Sequence, residues 1–511
     1  MSSLVDVGTA PSKATPREWI GLAVIALPCL VYSMDLNVLN LAVPHLTADL
    51  RPSATQLLWI VDIYGFLLAG FLIPMGTLGD RIGRRRLLMI GAAAFGAASV
   101  LAAFSSSAET LIVARAVLGV AAATLAPSTL SLIRNMFLDA RERTLAIGIW
   151  VGCFAAGSVF GPVVGGVLLE YFWWGSVFLV AVPVMVLLLL LAPLLLPEFR
   201  DPNAGRMDLP SAALATTTVL AMIYGMKRAA EHGADLGAGL GVLLSLAIGM
   251  IFVRRQRALA EPMIDLQLFR DPLFSAALAV NVVGVFAAFG SFLFITQYLQ
   301  LVLDLRPLEA GLWLAPSGVV FIAGSLLAPV IVRRFAACTV LIGGFLVTAI
   351  GYGVLTQVSA TGDLWVVFAG FMVFCAGLAP MGTLTTDLVM SAAPPEKAGA
   401  ASGISETSFE FGAAAGVAVL GSIVTALYRT RLSETGLPHV PPAVLDAARD
   451  TLAAAVAAAH DLQGEARASL LAAAREAFTL AMQASALVSA ALALVAAIVC
   501  TRFMPRSPAP G

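Results

Sequence analysis

The chain has few charged residues and few side chains of the kinds that catalyse reactions or bind metals. Only 12% of its 511 residues are charged, about half the share in soluble domains. Its four histidines lie at the ends of apolar runs or beyond them, and its five cysteines show no CxxC spacing, which argues against a disulfide framework, a metal site or an intramembrane metalloenzyme. A GxxxxGKS or GxxxxGKT loop is also absent, which excludes a primary ATP-driven pump. We therefore expect no enzyme activity, no metal and no other cofactor.

The sequence is rich in long apolar runs. It is 59% hydrophobic, with a mean hydropathy of +0.93. About 20 apolar residues in a helix cross the hydrocarbon core of a bilayer, and the chain predicts an all-α integral membrane protein with 14 transmembrane helices. The predicted spans, numbered in chain order, are 18–46, 56–78, 86–104, 111–134, 143–169, 175–196, 208–226, 237–253, 273–302, 309–332, 338–358, 364–390, 398–427 and 477–501.

Lysine and arginine determine the predicted orientation. An even number of spans places both termini on one side of the membrane, and most lysines and arginines, including the cluster 84–86, fall on that side. Because positively charged loops stay in the cytoplasm, the sequence predicts a multi-pass protein of the cytoplasmic (inner) cell membrane with both termini in the cytoplasm.

An internal repeat is visible. The tetrapeptide DLRP occurs at Asp49–Pro52 and, 255 residues later, at Asp304–Pro307, and Gly157 and Gly161 of span 5 match two glycines of span 13 at the same offset. Spans 1–6 therefore repeat as spans 9–14, and spans 7 and 8 are an insert. Two such halves imply a two-fold axis along the membrane normal, with substrate bound between them. The predicted domains are an N-terminal six-helix bundle, 1–197, an insert, 198–272, and a C-terminal six-helix bundle, 273–511.

The last outer loop, 428–476, is long and rich in alanine. Its two helix-prone segments, separated by Gly464, predict an extracellular helical hairpin. Both a surface appendage and a cap over the outer vestibule fit this pattern.

Span 13 carries two carboxylates, Glu406 and Glu410, on one helix face. A charged group at membrane depth costs roughly 2–3 kcal/mol or more, which indicates a function for both. Two nearby carboxylates favour one shared proton, and a cation that displaces this proton would be exchanged for it. Asp387, near the end of span 12, is a weaker candidate of the same kind.

The first half has its own ionisable set, namely Asp35 in span 1, Asp62 in span 2 and Arg115 in span 4. Their depths allow an ion pair between Asp35 and Arg115 with Asp62 nearby. Because burial disfavours a charged carboxylate and a close arginine favours it, a movable Arg115 would determine whether Asp35 holds a proton. A purely structural buried pair is the alternative, and Asp62 fits outer gating and simple solvation equally well.

Aromatic side chains near these carboxylates are candidates for cation–π contacts with a bound cation. Core packing and interfacial anchoring are the alternatives for each of them. The predicted substrate-binding residues are Glu406, Glu410, Asp35, Tyr64, Trp150, Phe154, Trp313 and Phe409.

The turn between spans 2 and 3 reads GTLGDRIGRRR. Its glycines allow close approach of helices, and its aspartate can pair with an arginine or cap a neighbouring helix. A basic turn that only sets topology would not need this spacing of glycine, aspartate and arginine. The residues with these predicted conformational roles are Gly76, Asp80, Arg81, Gly83 and Arg84.

Span 5 carries the pattern GSVFGPVVGG. Gly157, Gly161 and Gly165, spaced i, i+4 and i+8, form a flat groove for another helix. Pro162 allows a bend, and Gly166 completes the pattern.

These motifs carry a resemblance. The turn after span 2 resembles the signature loop of the major facilitator superfamily, and GxxxGPxxGG resembles the antiporter motif of its drug exporters. Span 1, with Asp35-Leu-Asn37, is similar to the first-span motif of the fourteen-span drug:proton antiporters of the EmrB/QacA group, although Asn37 stands where threonine is usual. The resemblance covers essentially the whole chain. It implies multidrug efflux of lipophilic cations, such as quaternary ammonium compounds and dyes, with protons as the coupling ion, and hence antibiotic resistance.

One departure from the group concerns the substrate charge. Some relatives carry an acid in span 10 that is associated with divalent cations, whereas the repeat offset maps Asp62 to Ser317 and no acid follows the first residue of span 10. We therefore expect mainly monovalent cations.

The partners expected are such cations, protons and the lipid bilayer, with no nucleic acid and a monomeric chain. The alternatives are a dedicated exporter of one antibiotic, metabolite or lipid, and a membrane sensor that transports nothing.

Overall fold

A computed structural model describes residues 13–201, 207–232, 235–259, 262–360, 362–437 and 439–504. Within these ranges the chain is all-helical, as the apolar runs predict. The α-helices are α1 (Pro16–Leu50), α2 (Ala54–Ile82), α3 (Arg84–Ala103), α4 (Ala108–Met136), α5 (Ala140–Tyr171), α6 (Ser176–Leu179), α7 (Ala181–Leu195), α8 (Leu209–His232), α9 (Leu236–Ala258), α10 (Pro272–Gln297), α11 (Pro307–Ile331), α12 (Ala337–Leu355), α13 (Leu364–Ala392), α14 (Ala398–Glu434), α15 (Pro442–Ala448), α16 (Leu452–Ala458) and α17 (Gly464–Phe503).

The predicted spans correspond to these helices. Thirteen helical stretches of the described chain are long and apolar enough to cross a bilayer. The remaining predicted span, 143–169, lies within α5, which has 32 residues and no charged residue between positions 144 and 169. Span 6 comprises α6 and α7, spans 7–13 are α8–α14, and span 14 is the second part of α17. The observed helices mostly extend a few residues past the predicted ends.

The chain forms two compact units that do not follow chain order. The segments 255–268 and 386–406 pack with the N-terminal helices, and the division at residues 197 and 272 stays a prediction. The first unit comprises Met1–Thr216, Arg255–Leu268 and Thr386–Glu406, and the second comprises Thr217–Arg254, Phe269–Thr385 and Thr407–Gly511.

Helix pairing within the units follows the internal repeat. In the first unit, α4 packs against α1, α2, α3 and α5, while α1 and α3 both pack on α7. In the second unit, α10 and α12 both pack on α17. Spans 1 and 3 therefore pack on span 6 in the same way as spans 9 and 11 pack on span 14, which is the arrangement that a repeated six-helix bundle requires.

Glycines of α5 set the distance between α5 and α1. A Cβ atom added to Gly157 would overlap the backbone carbonyl of Leu30, and one added to Gly165 would lie 2.8 Å from a side-chain methyl of Val38. Gly166 faces open space, since a Cβ there meets nothing within 4 Å. The i, i+4, i+8 glycines are thus the packing surface predicted for span 5, and Gly166 is outside it.

The second unit repeats this contact between α14 and α10. A Cβ on Gly412 would lie 2.9 Å from the carbonyl oxygen of Val282, and one on Gly416 would overlap the carbonyl of Phe286. The matching glycines of spans 5 and 13 thus face spans 1 and 9, respectively. The side chain of Pro162 lies outside the described residues, although α5 continues through its position.

Both copies of DLRP contain a residue with left-handed backbone. Arg51 has φ 46° and Asp304 has φ 58°, and they are the two non-glycine residues with positive φ in the described chain. A helix starts close to each copy. The Ser53 hydroxyl accepts a hydrogen bond from Gln56 N (3.2 Å) at the start of α2, just after the first copy, whereas α11 begins at Pro307, the last residue of the second copy, with Arg306 as its N-cap. Both copies therefore lie at a reversal between consecutive spans, although the left-handed residue is the third of the first copy and the first of the second.

The long outer loop differs from the predicted hairpin. Its first helical part is present as α15 and α16, but the segment after Gly464 is the first part of the 40-residue helix α17. Gly464 has φ +60° and marks the reversal before this helix. Because alanine-rich sequence without a break favours helix propagation, the predicted second arm and the last span form one continuous helix.

Gly157→Ala should destabilise the protein, whereas Gly166→Ala should not. The added methyl group meets the Leu30 carbonyl in the first variant and open space in the second, and overpacking costs about 1–3 kcal/mol. Alanine is the better helix former at both positions, so propensity alone predicts two stabilised variants. Thermal unfolding of the purified protein in detergent measures the difference, and equal melting temperatures would contradict the packing described.

Candidate functional site

The first ionisable set forms a buried ion pair. Arg115 of α4 donates from Nη1 to Oδ2 of Asp35 on α1. Its Nε donates to the carbonyl oxygen of Ile60 (3.3 Å), and its Cζ lies 4.5 Å from the centre of the Tyr64 ring. The side chains of Arg115 and Asp35 are 2% and 12% exposed. The predicted pair is present, and its arginine is also held by a carbonyl and an aromatic face; its role in proton coupling stays a prediction.

A cleft lies beside this pair within the first unit. Among its lining residues the Asp35 carboxylate is the charged group, and the other side chains are apolar. The lining residues are Val31, Met34, Asp35, Val38, Leu39, Val164, Gly165, Leu168, Val177, Phe178, Val180 and Ala181. Such a wall suits the apolar body of a cation whose charge meets Asp35.

Three aromatic residues of the first unit that the sequence predicts to bind substrate contact other groups of the protein. The hydroxyl of the buried Tyr64 donates to the carbonyl of Tyr32 (3.4 Å), and the Tyr32 ring lies 5.7 Å from that of Phe154. Trp150 is buried and donates from Nε1 to the hydroxyl of Thr129 (3.0 Å). Trp150 therefore packs in the core, whereas Tyr32, which the sequence did not single out, connects α1 to both Tyr64 and Phe154.

The two glutamates of α14 have different neighbours. Both are half-buried, and the division between the two units falls directly after Glu406. Glu406 interacts electrostatically with Tyr32 of α1. Glu410 interacts electrostatically with Lys227 of the inserted helix α8. Asp62 is also half-buried, on α2. The roles predicted for these three carboxylates stay predictions, and Lys227 is a neighbour that sequence spacing alone did not identify.

A polar bridge in the second unit connects three spans near Glu410. The amide of the buried Asn281 on α10 donates to the Ser408 hydroxyl (3.3 Å) and accepts from the Thr385 hydroxyl (3.4 Å). The Phe409 ring contacts that of Phe289 edge to face, with centroids 5.5 Å apart. The contact with Phe289 of α10 positions the Phe409 ring, and the two hydrogen bonds position the Asn281 amide.

Trp313, the remaining predicted aromatic residue, belongs to a different cluster. It lies on α11 against Trp365 and Phe368 of α13. This cluster lies near the N-terminal ends of both helices.

The turn between α2 and α3 binds the N-terminus of α14. Asp80 Oδ1 accepts from Arg84 Nε (2.9 Å), Arg84 Nη2 (2.7 Å) and Gly399 N (2.9 Å), and Oδ2 accepts from Ala400 N (3.0 Å). Arg84 also donates to the Pro395 carbonyl (2.7 Å). Asp80 and Arg84 are 6% and 1% exposed. Both uses predicted for Asp80, pairing with an arginine and capping a neighbouring helix, therefore occur together.

Glycine makes this contact possible. A Cβ on Gly76 would overlap the Gly399 carbonyl, so only glycine lets α2 and α14 approach this closely. Gly83, with φ +109°, is the single residue between α2 and α3. Glu198 then caps α3 by accepting from the backbone N–H groups of residues 85 and 86 (3.1 and 3.2 Å). Arg81, the remaining residue of the predicted motif, is half-buried.

A second ionic contact joins the ends of α4, α5 and α13. The Asp387 carboxylate accepts from Arg143 Nε (2.9 Å) and from the Thr144 hydroxyl (2.7 Å). Arg134 donates from Nε to the carbonyl of Met390 (2.8 Å). Asp387 thus has a basic and a hydroxyl partner at the start of span 5. The sequence alone does not predict this pairing, because the residues are far apart in the chain.

The linker that follows the inserted helices returns to the same region. Lys397 Nζ lies 2.7 Å from Asp265 Oδ2. Burial raises the pKa of Asp265. The hydrogen bonds from Lys397 and Gln267 N and the charge of the lysine together lower it by more, so the pKa lies below its ordinary value. A carboxylate with a lowered pKa stabilises the fold at pH values above the ordinary carboxylate pKa. This stabilisation is lost as the pH falls from that value through the lowered pKa. The bridge is therefore present at neutral pH.

Asp80→Asn should lower the stability of the protein strongly. The amide cannot neutralise the buried Arg84, and its NH₂ group, which only donates, replaces one of the two oxygens that accept from Arg84 and from the N–H groups of α14. Leaving a buried charge without its partner costs about 3–5 kcal/mol. Asp450→Asn is the matched control, because the Arg429–Asp450 pair is 53% and 70% exposed and such pairs contribute little. Thermal unfolding compares the two variants, and an unchanged melting temperature for Asp80→Asn would contradict the capping role.

Comparison with known proteins identifies the family to which the chain belongs. Its residues 25–417 match the model of the Major Facilitator Superfamily. It is similar to the multidrug efflux pump LfrA of Mycolicibacterium smegmatis, with 44% identity over 500 residues that cover 98% of this chain and 99% of LfrA. It is also similar to the methyl viologen resistance protein SmvA of Salmonella typhimurium, 36% identical over 80% of this chain and 83% of SmvA. The tetracenomycin C resistance and export protein of Streptomyces glaucescens is 30% identical over 96% of this chain and 92% of that protein.

Solved structures show the same fold at low sequence identity. A double-tryptophan mutant of XylE is 15% identical, with a TM-score of 0.64 over 96% of this chain and 97% of that chain. The human organic anion transporter MFSD10 is 14% identical, with a TM-score of 0.61 over 95% of this chain and its whole length. The helical fold, the turn after α2 and the match over residues 25–417 agree, and the chain belongs to the Major Facilitator Superfamily of multi-pass membrane transporters.

Proposed function

We propose that this protein is a proton-coupled multidrug exporter of lipophilic cations, mainly monovalent ones such as quaternary ammonium compounds and dyes. The observation that carries this proposal is the buried pair of Asp35 and Arg115 at the edge of an apolar cleft. A carboxylate beside an apolar wall offers an organic cation both a charge partner and a place for its carbon skeleton.

Competition at Asp35 supplies the link between proton and drug. A protonated Asp35 no longer holds Arg115 electrostatically, but the arginine keeps the Ile60 carbonyl and the Tyr64 ring as partners. An ionised Asp35 is free to attract either Arg115 or a drug cation. Because one carboxylate does not hold a proton and a cation at the same time, binding of the drug releases the proton, which is the exchange that an antiporter requires.

Glu406 and Glu410 supply the second part of the pathway. Because the division between the two units falls directly after Glu406, we assign Glu406 to the first unit and Glu410 to the second. A cation that moves along α14 would meet the two carboxylates in turn, one helical turn apart.

Alternating access would occur by rocking of spans 1–6 against spans 9–14. The contacts of Asp80, Arg84 and Asp387 tie the ends of spans 2–5 to the end of span 12 and the start of span 13. We expect these contacts to break and form once in each transport cycle. Orientation with both termini in the cytoplasm places them on the inner side, where they would close the path to the cytoplasm.

The relatives support export and leave one alternative. LfrA is described as a multidrug efflux pump, which favours a broad substrate range. The tetracenomycin C resistance and export protein favours a dedicated exporter of one antibiotic with the same fold. A sensor that transports nothing would leave the buried pair and the two glutamates without a role.

Asp35→Asn, Glu406→Gln and Glu410→Gln should each reduce ethidium efflux by roughly tenfold or more, which corresponds to about 1.4 kcal/mol, because each change removes a carboxylate to which the proposal assigns proton or cation binding. Efflux is followed by ethidium fluorescence in cells and in inverted vesicles, with and without an uncoupler. Glu434→Gln is the control, because Glu434 lies on the same helix as the two glutamates but is 61% exposed.

Each result of this experiment decides one part of the proposal. Wild-type efflux that resists the uncoupler would remove proton coupling. Full activity in all three variants would remove the assigned carboxylates. A wild-type protein that exports no lipophilic cation but exports a single antibiotic would support the dedicated exporter.

Substrate charge offers an independent prediction. The position that matches Asp62 in the second half is Ser317, whose hydroxyl donates to the Leu314 carbonyl (2.6 Å), so we expect export of ethidium but little export of the dication methyl viologen. Ser317→Asp should add methyl viologen export, whereas Ser317→Thr should not. Since SmvA is a methyl viologen resistance protein, efficient methyl viologen export by the wild type would overturn the monovalent preference.

A further inference from the structure

The segment 395–400, which leads into α14, is held by three side chains. Arg84 donates to two of its carbonyl oxygens (2.7 and 3.1 Å). Asp80 accepts from two of its N–H groups (2.9 and 3.0 Å). The third side chain is Asp265, whose Oδ2 accepts from Lys397 Nζ (2.7 Å). Asp265 lies in the linker that follows the inserted helices α8 and α9, so the insert contacts the same segment as the turn between α2 and α3.

The linker fixes the Asp265 carboxylate independently of the lysine. Its Oδ1 accepts from Gln267 N (2.9 Å), whereas Oδ2 accepts from Lys397. The preceding Met263 and Ile264 are buried, and burial of their apolar side chains anchors the linker. Because the carboxylate is already held in place, the bridge costs little side-chain entropy on the aspartate side.

Hydrogen bonds connect the linker to the start of α8. Ile264 N donates to Oε1 of Gln256 (3.2 Å), and Nε2 of this buried amide donates to the Ser211 hydroxyl (2.7 Å). Arg255 donates through Nε and Nη2 to the two carboxylate oxygens of Asp208 (2.8 and 2.9 Å), which directly precedes α8. The two ends of the inserted helix pair are therefore joined, and together they determine the course of the linker.

The bridge joins two segments that interrupt the second unit in chain order. Residues 255–268 belong to the first unit, although the chain on both sides of them belongs to the second. The same is true of residues 386–406, which include the start of α14. Asp265 lies in the first of these segments and Lys397 lies in the second, so the bridge is a direct contact between them.

The internal repeat supplies a counterpart to this bridge. Arg143 lies in the first turn of α5 and Lys397 directly precedes α14, and each follows a glutamate. Arg143 Nε lies 2.9 Å from a carboxylate oxygen of Asp387, and Lys397 Nζ lies 2.7 Å from one of Asp265. Basic residues at equivalent helix starts thus have aspartate partners from unrelated parts of the chain, one at the end of α13 and one in the linker of the insert.

We propose that Asp265 is a positioning residue, which through Lys397 holds the segment 395–400 in the place where Asp80 caps α14. The insert of spans 7 and 8 thereby gives the start of span 13 the support that Asp387 gives to the start of span 5. The importance of this support for transport rests on the proposed function, in which the contacts of Asp80 break and form in each cycle. The positioning itself does not depend on that function.

The competing explanation is an ion pair that has no effect on α14. The side chains of Lys397 and Asp265 are 44% and 24% exposed, and exposed pairs often contribute little to stability. Hydrogen exchange separates the two explanations, because the first N–H groups of a helix have no acceptor within the helix. In α14 the N–H groups of residues 399 and 400 are bonded to Asp80, so their exchange rate reports this cap.

The test is hydrogen–deuterium exchange of the full-length protein in lipid nanodiscs, read by mass spectrometry of peptides that cover 395–406. Asp265→Asn should accelerate exchange at the start of α14 several-fold, because Lys397 loses its charged partner, and Asp265→Glu should retain part of the protection. Lys397→Met should act like Asp265→Asn, and the double variant should exchange no faster than either single variant.

Asp235→Asn is the matched control. The bridge of Asp235 with Arg228 lies at the opposite end of the inserted helices, and its side chains are 31% and 37% exposed. Asp235→Asn should therefore leave exchange at the start of α14 unchanged. Equal melting temperatures of the variants would show that faster exchange in Asp265→Asn is local opening and not global unfolding.

The outcomes separate this inference from the proposed function. Unchanged exchange in Asp265→Asn, equal acceleration in Asp235→Asn, or additive effects of Asp265→Asn and Lys397→Met would overturn the positioning role, whether or not ethidium is exported. Ethidium efflux is the second readout. Its maximal rate should change in Asp265→Asn while the half-saturating ethidium concentration stays the same, because Asp265 is not among the groups that meet the cation. Accelerated exchange with unchanged efflux would support the positioning and remove its part in transport.

Discussion

The cost of a charged group inside apolar helices is the constraint on which the rest of this structure depends. The described chain meets this cost at Asp35 by a contact with Arg115, and at Asp80 by a contact with Arg84. Each arginine has a second support, the Ile60 carbonyl for Arg115 and the Pro395 carbonyl for Arg84. A guanidinium group suits this task, because its several N–H donors engage a carboxylate and a carbonyl at once.

Close backbone approach by glycine is the second requirement. Asp80 reaches the first N–H groups of α14 only because Gly76 and Gly399 let α2 and α14 come into backbone contact. The positive end of the α14 dipole then lies against a carboxylate, which is favourable. A larger residue at either glycine would separate the helices and leave Asp80 with Arg84 alone, so the electrostatic contact depends on a steric one.

Much of this arrangement follows from sequence, but not all of it. Helix length and polarity predict the spans, and the 255-residue offset predicts that Gly157 and Gly412 face equivalent helices. The partner of Asp387 is different, because Arg143 is 244 residues away and no local periodicity connects them. The continuous α17 also differs from the predicted hairpin, since a break at Gly464 in sequence marks a helix start and not a loop between two short helices.

Buried ion pairs suit a transporter because they combine specificity with modest net stability. Desolvation offsets most of the Coulombic attraction of such a pair, so an alternative partner of equal charge replaces it at little free-energy cost. Under the proposed function, the alternatives for Asp35 are a proton and an organic cation. A hydrophobic contact of the same area would be more stable in one state, but no proton or cation would exchange with it. Under the proposed function, ion pairs therefore lie where the transport cycle needs contacts that open, and glycine-packed apolar helices lie where it needs contacts that remain.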